Sequence, residues 1–216
     1  MAACLETEFG NLQLELFPER FAYIRKLNTI LVSDLHLGRS GHYRKHGIPM
    51  PASAETLEVL RLERCIKKVN AQRILILGDL FHSAHNADVD RFVRWREFYE
   101  NIDFQLVPGN HDIIHTSFYE HAKIKLMDKE YEEEGVLFLH ESKPDESRLH
   151  ISGHVHPAVV LRGQGKQSLR LNCFYQTSNQ FLLPAFTSWG GHFTIKPKRG
   201  DKVFVCAETE LHLFDN

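Results

Sequence analysis

The sequence predicts an α/β fold in which two β-sheets pack face to face and helices lie outside them. In the first half of the chain, short apolar runs alternate with stretches of helical periodicity, which is the pattern of βαβ units. In the second half, short strand candidates follow one another between glycine, proline and polar turns, which favours an antiparallel sheet. No linker separates the halves of this 216-residue chain, so we expect a single domain over residues 1–216.

Six strands are predicted in the first part of the chain. Residues 11–16 alternate leucine with polar residues, which is the period of a half-buried strand. Five further runs are apolar or β-branched and each ends at a polar residue, namely 29–33, 73–77, 104–107, 136–139 and 149–152. The carboxyl ends of strands in open α/β sheets are where ligands bind. We therefore expect a functional site along this edge.

The remaining predicted elements are two helices and five further strands. Two apolar stripes recur at helical spacing and indicate core-facing helices, the first at Val59, Leu62, Ile66 and Val69, the second at Phe92, Trp95, Tyr99 and Ile102. Further strands are predicted at 168–174, 180–183, 192–195, 203–206 and 210–214.

Composition narrows the class of protein. The apolar fraction of 43% and aromatic fraction of 11% are typical of a globular protein. The four cysteines lie far apart without a CxxC pair, which favours reduced thiols. The first ten residues lack signal-peptide features, and no apolar run approaches the length of a membrane span. We expect a cytoplasmic protein that does not contact membranes.

Polar clusters follow the five apolar runs. In order they are Asp34-x-His36, Gly78-Asp79, Gly109-Asn110-His111-Asp112, His140 and Gly153-His154-x-His156. Each cluster alone is a modest signal, because lone histidines and Gly-Asp turns are common. Together they offer carboxylate, imidazole and amide ligands without a thiolate, a set that suits manganese, iron or zinc. The order of the clusters predicts a mixed nitrogen and oxygen metal site.

The same motif series resembles that of the calcineurin-like metallophosphoesterase superfamily. The resemblance implies a four-layer αββα sandwich of two mixed sheets flanked by helices, with two divalent metal ions. The ligands that it implies for the first metal are Asp34, His36, Asp79 and His156. Those for the second metal are Asp79, Asn110, His140 and His154, so that Asp79 bridges the pair. Manganese is the expected metal, and iron, zinc and nickel also accept this set.

The resemblance also implies a mechanism. Two cations about 3.5–4 Å apart lower the pKa of a shared water, and the bridging hydroxide attacks the phosphodiester. His111 is expected to protonate the leaving alkoxide. Asp112 is expected to orient and polarise His111, with a loop-capping role as the alternative.

Two further residues are candidates for substrate contacts. His82 follows the second motif and is either a support for the metal ligands or a phosphate contact. Arg44, with its neighbours His42 and His46, lies in the loop after the first motif and either clamps a substrate phosphate or is solvated.

The segment from residue 157 to residue 200 predicts a polyanionic substrate. It contains no Asp or Glu, and its six positive charges are Arg162, Lys166, Arg170, Lys196, Lys198 and Arg199. Such a stretch predicts a local positive surface, with an ordinary solvated face as the alternative. The interleaved aromatic residues favour core packing over base stacking, and they are Phe174, Tyr175, Phe181, Phe186 and Trp189.

Several longer segments are similar to the small bacterial ligase-associated DNA damage response phosphoesterases. They are SDLHLG at 33–38, the loop 47–49, LGDLFHS at 77–83, SGHVHP at 152–157, SLRLNCF at 168–174 and LLPAF at 182–186. The resemblance implies a DNA-repair nuclease, with a helicase or ligase as partner. That family continues LPAF with a glycine-rich segment, whereas Thr187-Ser188-Trp189-Gly190-Gly191 follows here.

Two other functions remain open. The same metal core in this superfamily also serves small phosphoesters such as cyclic nucleotides or nucleotide pyrophosphates. A non-catalytic binding scaffold with this fold is expected to lose ligands or the acid, and every expected ligand and His111 are present.

Overall fold

The computed structural model describes residues 4–47, 53–82, 85–143, 146–163, 165 and 167–215. The first strands are β1 (Leu5–Phe9), β2 (Leu12–Phe17), β3 (Phe21–Ile24), β4 (Thr29–Val32), β5 (Arg73–Leu77), β6 (Asp103–Val107) and β7 (Ile124–Leu126). The helices are α1 (Arg39–Lys45), α2 (Ser53–Val69), α3 (Ala87–Arg96) and α4 (Thr116–His121). The later strands are β8 (Glu130–Glu133), β9 (Val136–Leu139), β10 (His150–Ser152), β11 (Pro157–Arg162), β12 (Ser168–Gln176), β13 (Gln180–Leu182), β14 (Phe193–Thr194), β15 (Lys202–Ala207) and β16 (Glu210–Asp215).

The first sheet contains β1 to β7 in chain order. Strands β1 to β4 pair antiparallel, whereas β4 to β7 pair parallel. Parallel neighbours need a crossover, and α2, α3 and α4 supply it between the successive parallel strands. The carboxyl ends of β4, β5 and β6 therefore reach one edge of this sheet, as the strand pattern predicts.

The second sheet has the order β14-β11-β12-β13-β10-β9-β8, and β15 joins β12 and β16. Most pairs are antiparallel, but β10 is parallel to both β9 and β13, and β11 is parallel to β14. The second sheet is therefore mixed, as the family resemblance implies, although the strand pattern after His156 favours antiparallel pairing. The parallel pairing brings the carboxyl ends of β9 and β10 to the same edge.

Side chains of the first sheet alternate between two hydrophobic clusters. On one face, residues of β4 to β6 pack with the helices, and they include Ile30, Val32, Ile74, Ile76 and Leu106. On the other face, Leu31, Leu75, Leu77 and Val107 meet aromatic residues of the second sheet, among them Phe138, Phe174, Phe181 and Phe204. Strands buried on both faces need apolar residues at successive positions, which explains their continuous apolar runs.

The predicted helices are confirmed in α2 and α3. Leu62, Ile66 and Phe92 are buried against the first sheet, and Tyr99 lies in a 3₁₀ turn that continues α3. Two mixed sheets flanked by helices are thus confirmed. Within the described residues the helices lie on the first sheet, and the outer face of the second sheet carries a small cluster that includes Cys173, Val203 and Val205.

Five strands were not predicted, because their local signals are weak. β1 and β8 contain several glutamates, β3 and β7 are short, and β11 begins at a proline. Their pairing with neighbouring strands forms them, rather than local periodicity. All four cysteines are free. No helix in the described part of the chain is long and apolar enough to cross a bilayer.

The inter-sheet cluster should dominate the stability of the fold. Phe138 is fully buried between the sheets, whereas Phe98 is 85% exposed. We expect Phe138→Ala to lower the free energy of unfolding by about 3–5 kcal/mol, because it leaves a cavity, and Phe98→Ala to change it little. Urea denaturation followed by circular dichroism measures both variants. A single transition is expected if residues 1–216 form one domain, and two separate transitions would contradict that prediction.

Candidate functional site

The loops that carry the first two motifs run side by side at the edge of the first sheet. The backbone N–H of Asp34 donates to the carbonyl of Gly78 at 3.1 Å, and that of His36 donates to the carbonyl of Asp79 at 2.8 Å. Leu37 and Phe81 extend the pairing as a parallel bridge. The motifs that follow β4 and β5 are thus held in a fixed register beyond the ends of their strands.

A direct contact brings the second sheet to the same place. The carboxylate of Asp34 accepts the backbone N–H of His154 at 3.0 Å. The backbone N–H of Gly153 donates to the carbonyl of His140 at 3.1 Å. The motifs after β9 and β10 therefore face those after β4 and β5 across the sheet edges.

One group of potential metal ligands contains Asp34, His36 and His156, whose ligand atoms lie within 4.8 Å of one another. The Nδ1–H of His156 donates to the carbonyl of Gly191 at 3.0 Å. This leaves the Nε2 lone pair of His156 facing a carboxylate oxygen of Asp34 at 3.1 Å. Two acceptors at that distance need a cation or a proton between them.

A second group contains Asp79, His140 and His154. The Nδ1–H of His140 donates to the carbonyl of Leu77 at 2.9 Å. The His140 Nε2 then faces three other ligand atoms, Asn110 Oδ1 at 3.1 Å, His154 Nδ1 at 3.0 Å and Asp79 Oδ2 at 3.4 Å. This convergence of lone pairs is the arrangement that a divalent cation satisfies.

Asp79 belongs to the second group and also approaches the first. Its Oδ2 is 3.7 Å from His36 Nε2 as well as 3.4 Å from His140 Nε2. Its Oδ1 accepts the backbone N–H of His111 at 2.9 Å. The geometry thus brings together every ligand residue that the sequence predicts, with Asp79 at the centre.

The electrostatics of the site favour cation binding. Burial lowers the pKa of His36 to about 3, so its imidazole is neutral, as a metal ligand must be. Burial opposes ionisation of Asp79, but hydrogen bonding to His140 and the His140 charge outweigh burial and lower the Asp79 pKa to about 2. Burial also lowers the pKa of His140, but Asp79 raises it to about 9. The buried carboxylate therefore requires a positive charge beside it, and the donor set fits divalent cations.

The backbone of the ligands is strained. Asp34, His36, Asp79, His154 and His156 have φ between 49° and 65°, in the left-handed region that non-glycine residues rarely adopt. Such conformations cost free energy and persist where the surrounding structure holds them in place. The strained residues belong to three separate motifs, so the strain is a property of the site as a whole.

Glycines next to the ligands provide the space that the ligands occupy. A Cβ on Gly109 would overlap the carboxylate of Asp79, and a Cβ on Gly78 would overlap the ring of His140. A Cβ on Gly153 would lie 2.6 Å from Asp34 Oδ2. The glycine in each of these motifs is therefore explained by a ligand that arrives from another strand.

Of the two roles predicted for Asp112, its contacts favour the loop cap. Its carboxylate accepts three backbone N–H groups, those of Asp79 at 2.8 Å, Gly109 at 2.9 Å and Phe81 at 3.2 Å. These donors turn away from the strand ladders and need an acceptor, which Asp112 supplies by capping the loop. Desolvation of the carboxylate raises the Asp112 pKa to about 6, although the N–H groups oppose that shift.

His111 is oriented by a different group. Its Nδ1–H donates to the backbone carbonyl of His82 at 3.0 Å, and its ring stacks on the His82 ring with centroids 5.1 Å apart. The His36 ring lies edge-on to it at 5.2 Å. His82 thus supports His111 and also approaches His36, with the two Nδ1 atoms 3.5 Å apart.

The remaining predicted substrate contacts are Arg44 with its neighbouring loop and the positive residues of the C-terminal half. The guanidinium of Arg44 is 3.7 Å from the carboxylate of Asp88, so its contact with a substrate phosphate stays a prediction. Residues 48–50 of the loop after the first motif, and the side chain of His42, lie outside the described residues. The expected positive surface is divided, because Arg170 lines one cavity and Arg199 lines another.

A segment that sequence reasoning did not assign to the site is packed against it. The backbone N–H of Phe186 donates to the carbonyl of Ser33 at 2.9 Å, and that of Thr187 donates to the carbonyl of Asp34 at 3.1 Å. The guanidinium of Arg39 donates to the carbonyl of Trp189. The contacts of this segment join residues far apart in the chain, so no local pattern predicts them. The departure from the glycine-rich pattern at 187–191 is the one sequence feature that draws attention to the segment.

Comparisons with known proteins agree with this geometry. A model of the calcineurin-like phosphoesterase family matches residues 27–148, which include all the predicted ligands except His154 and His156. No significant match is found among curated proteins. Among solved structures, the Pseudomonas putida nuclease MPE is 25% identical with a TM-score of 0.83, covering 97% of this chain and 100% of that chain.

Two other solved structures match less well. The Aquifex aeolicus protein of unknown function AQ665 is 20% identical with a TM-score of 0.43, covering 64% of this chain and 82% of that chain. The E. coli phosphoesterase Yfce is 15% identical with a TM-score of 0.42, covering 83% of this chain and 88% of that chain.

The space above Gly109 should be essential for cation binding. We expect Gly109→Ala to displace Asp79 and to raise the Kd for Mn²⁺ by at least about tenfold, as loss of a ligand's supporting geometry does. Isothermal titration calorimetry measures the Kd. Gly163→Ala is the matched control, because its Cβ would meet only the side chain of Gln167 at 3.6 Å. Unchanged Mn²⁺ affinity in a folded Gly109→Ala variant would contradict the assignment of Asp79 as a ligand.

Proposed function

The chain belongs to the calcineurin-like phosphoesterase family and is a metal-dependent phosphoester hydrolase, and we propose that it is a two-metal phosphodiesterase that acts as a nuclease on DNA, in DNA repair. The observation that carries the proposal is the position of Asp79, which belongs to the group with His140 and His154 and whose Oδ2 is also 3.7 Å from Nε2 of His36 in the other group. One group would hold each cation, and Asp79 would contact both. Manganese is the proposed metal, because the donor set combines imidazole with carboxylate and amide oxygens.

The extent of the structural likeness supports a nuclease over the other hydrolases of the family. The Pseudomonas putida protein is described as a nuclease, and the two chains cover almost the whole of each other. Substrate preference is determined outside the metal core that such hydrolases share, so a likeness that covers nearly the whole of both chains supports a common class of substrate.

The cations supply the chemistry that side chains lack: when bound, they offset the charge on the phosphate oxygens and lower the pKa of a water. The protein holds its own ligands ready for them. Backbone N–H groups of His154 and His111 fix the carboxylates of Asp34 and Asp79. Backbone carbonyls of Leu77 and Gly191 accept the Nδ1–H of His140 and His156, so that the Nε2 lone pair of each ring would be free to hold a cation.

His111 is the proposed acid. Its Nδ1–H is held by the carbonyl of His82, which leaves Nε2 as the atom that donates to the leaving oxygen. The ring is only partly buried, so a bound phosphodiester can reach it. In this proposal the His82 carbonyl positions the ring, and Asp112 acts indirectly by fixing the loop that carries His111.

Exposed aromatic residues near the ligands favour a nucleic acid. Trp189 is 43% exposed and Phe193 is 62% exposed, and the segment that joins them contacts His156 through the carbonyl of Gly191. Aromatic rings on a rim of this kind stack on bases without regard to sequence. A smaller phosphoester does not need them.

Loss of His111 should separate chemistry from cation binding. We expect His111→Ala to lower kcat for bis-p-nitrophenyl phosphate about 10²–10⁴-fold, the usual range for a general acid, and to leave the Kd for Mn²⁺ within about twofold. Steady-state kinetics and calorimetry measure the two quantities. His212→Ala, on the exposed side of β16, is the control and should behave as wild type. Full activity of His111→Ala would refute the acid assignment.

The substrate is tested with labelled single- and double-stranded DNA beside bis-p-nitrophenyl phosphate, with Mn²⁺ added. We expect cleavage of all three, and a rise of about fivefold or more in KM for single-stranded DNA in Trp189→Ala, since one base stack contributes about 1–3 kcal/mol. Hydrolysis of the diester without cleavage of DNA would favour a small nucleotide substrate. If neither were cleaved, a binding scaffold would replace the enzyme.

A further inference from the structure

A cavity of ≈ 490 Å³ lies beside the metal site and is lined by arginines. They come from three parts of the fold: Arg20 follows β2, Arg61 and Arg64 belong to α2, and Arg170 belongs to β12. Asn172 and His192 also line the cavity. A volume of this size matches pockets that hold small ligands.

The balance of charge in the cavity is positive. The acidic residues that line it are Glu19 and Glu208, and Glu19 is already paired with Lys68. Arg20 and Arg61 both line the cavity, and burial together with the neighbouring charge of Arg61 lowers the pKa of Arg20. Guanidinium groups stay protonated in proteins, so their mutual repulsion favours a bound anion.

The two inner arginines are held by the structure. The guanidinium of Arg20 donates to the carbonyl of Thr187 at 2.8 Å, and the side-chain amide of Asn172, once oriented to satisfy both neighbours, contacts Arg20 and His192. Arg61 lies over the ring of Phe186 at 4.1 Å and donates to Ser188 Oγ at 3.2 Å. Its buried Nε–H has no hydrogen-bond partner within the described ranges. Another nitrogen of the same guanidinium is paired with the buried carboxylate of Glu58, so the Nε–H is the donor that remains for a ligand. A buried donor without an acceptor is costly.

The cavity and the metal site share a wall, which is the segment 187–192. Ser188 and His192 of this segment line the cavity. On its other side, Thr187 donates to the carbonyl of Asp34, and the carbonyl of Gly191 accepts from His156. The metal site and the arginine cavity, on the two sides of this wall, each favour an anionic group. A ligand that occupies both sites therefore needs two anionic groups joined by a linker, as the phosphates of a nucleic acid are.

From this arrangement we propose that the arginine cavity is a second phosphate-binding site, which takes a phosphate of the same DNA strand whose diester is cleaved at the metal centre. The inference rests on the proposed function. Arginine matches the geometry of phosphate oxygens with paired N–H groups, and the guanidinium groups here approach from several directions. A phosphate bound in the cavity therefore directs the DNA strand across the segment 187–192 to the metal site. It also adds binding energy at a distance from the phosphate that reacts.

The test removes the two outer arginines, which are exposed and do not hold the wall. In the variant Arg64→Ala/Arg170→Ala, we expect the ratio of kcat/KM for single-stranded DNA to kcat/KM for bis-p-nitrophenyl phosphate to fall about tenfold. The slope of log KM for DNA against log salt concentration should decrease by about one. The matched control is Arg162→Ala, an exposed arginine on β11 outside the cavity, which should keep both values.

A second measurement keeps this result separate from the nuclease activity. Metal ions are removed with a chelator, and binding of a 5′-phosphorylated dinucleotide, adenosine monophosphate and inorganic phosphate is measured by calorimetry. Weaker binding of the dinucleotide to the double variant than to wild type supports the cavity even if DNA is not cleaved. Tighter binding of the monophosphate than of the dinucleotide would overturn the DNA strand as the source of the phosphate. Equal binding of all three probes by both proteins would overturn the site itself.

Discussion

The site depends on the contact between the carboxylate of Asp34 and the backbone N–H of His154, which joins the two sheets at their edges. Asp34 is fully buried, so its charge requires partners that are already in place when the chain folds. The inter-sheet cluster supplies the force that closes the sandwich. The approach is close enough that only glycine fits at position 153. The metal ligands are therefore assembled by the packing of the two sheets, and neither sheet alone contains a complete set.

This assembly conflicts with the local preferences of the chain. Left-handed backbone at five ligands, two buried carboxylates and several facing imidazoles all raise the free energy of the folded protein. This free-energy cost is tolerated because the surrounding structure holds the ligands in place. The strand ends fix the start of each loop, hydrogen bonds join the loops to one another, and the Asp112 carboxylate caps the loop that carries His111. Bound cations offset the cost further, because they bind the folded chain and replace protons between the ligands. Concentration of strain at one edge is what distinguishes a functional site from the rest of the core.

Substrate preference belongs to a different part of the molecule. The segment 187–192 contacts Asp34 and His156 on one side and lines the arginine cavity on the other. It is also where the chain departs from the glycine-rich pattern of similar proteins. Larger side chains at Ser188 and Trp189 allow the segment to contact α2 and to form part of the rim. In the proposed function the metal ligands determine the reaction, and the segment 187–192 determines which substrates reach them.

The sequence by itself determined the two main helices, the strands that lead to the site and the polar clusters that follow them, whereas the assignment of ligands within these clusters came from the family resemblance. These elements follow from local periods and from short motifs, because parallel strands that end in polar residues must deliver them to one edge. Tertiary structure decided the rest. It assigned Asp112 to three backbone donors and the orientation of His111 to the His82 carbonyl. It placed Arg170 and Arg199 of the positive stretch at two different cavities. These outcomes depend on the register between strands and on contacts between residues far apart in the chain, which no local pattern encodes.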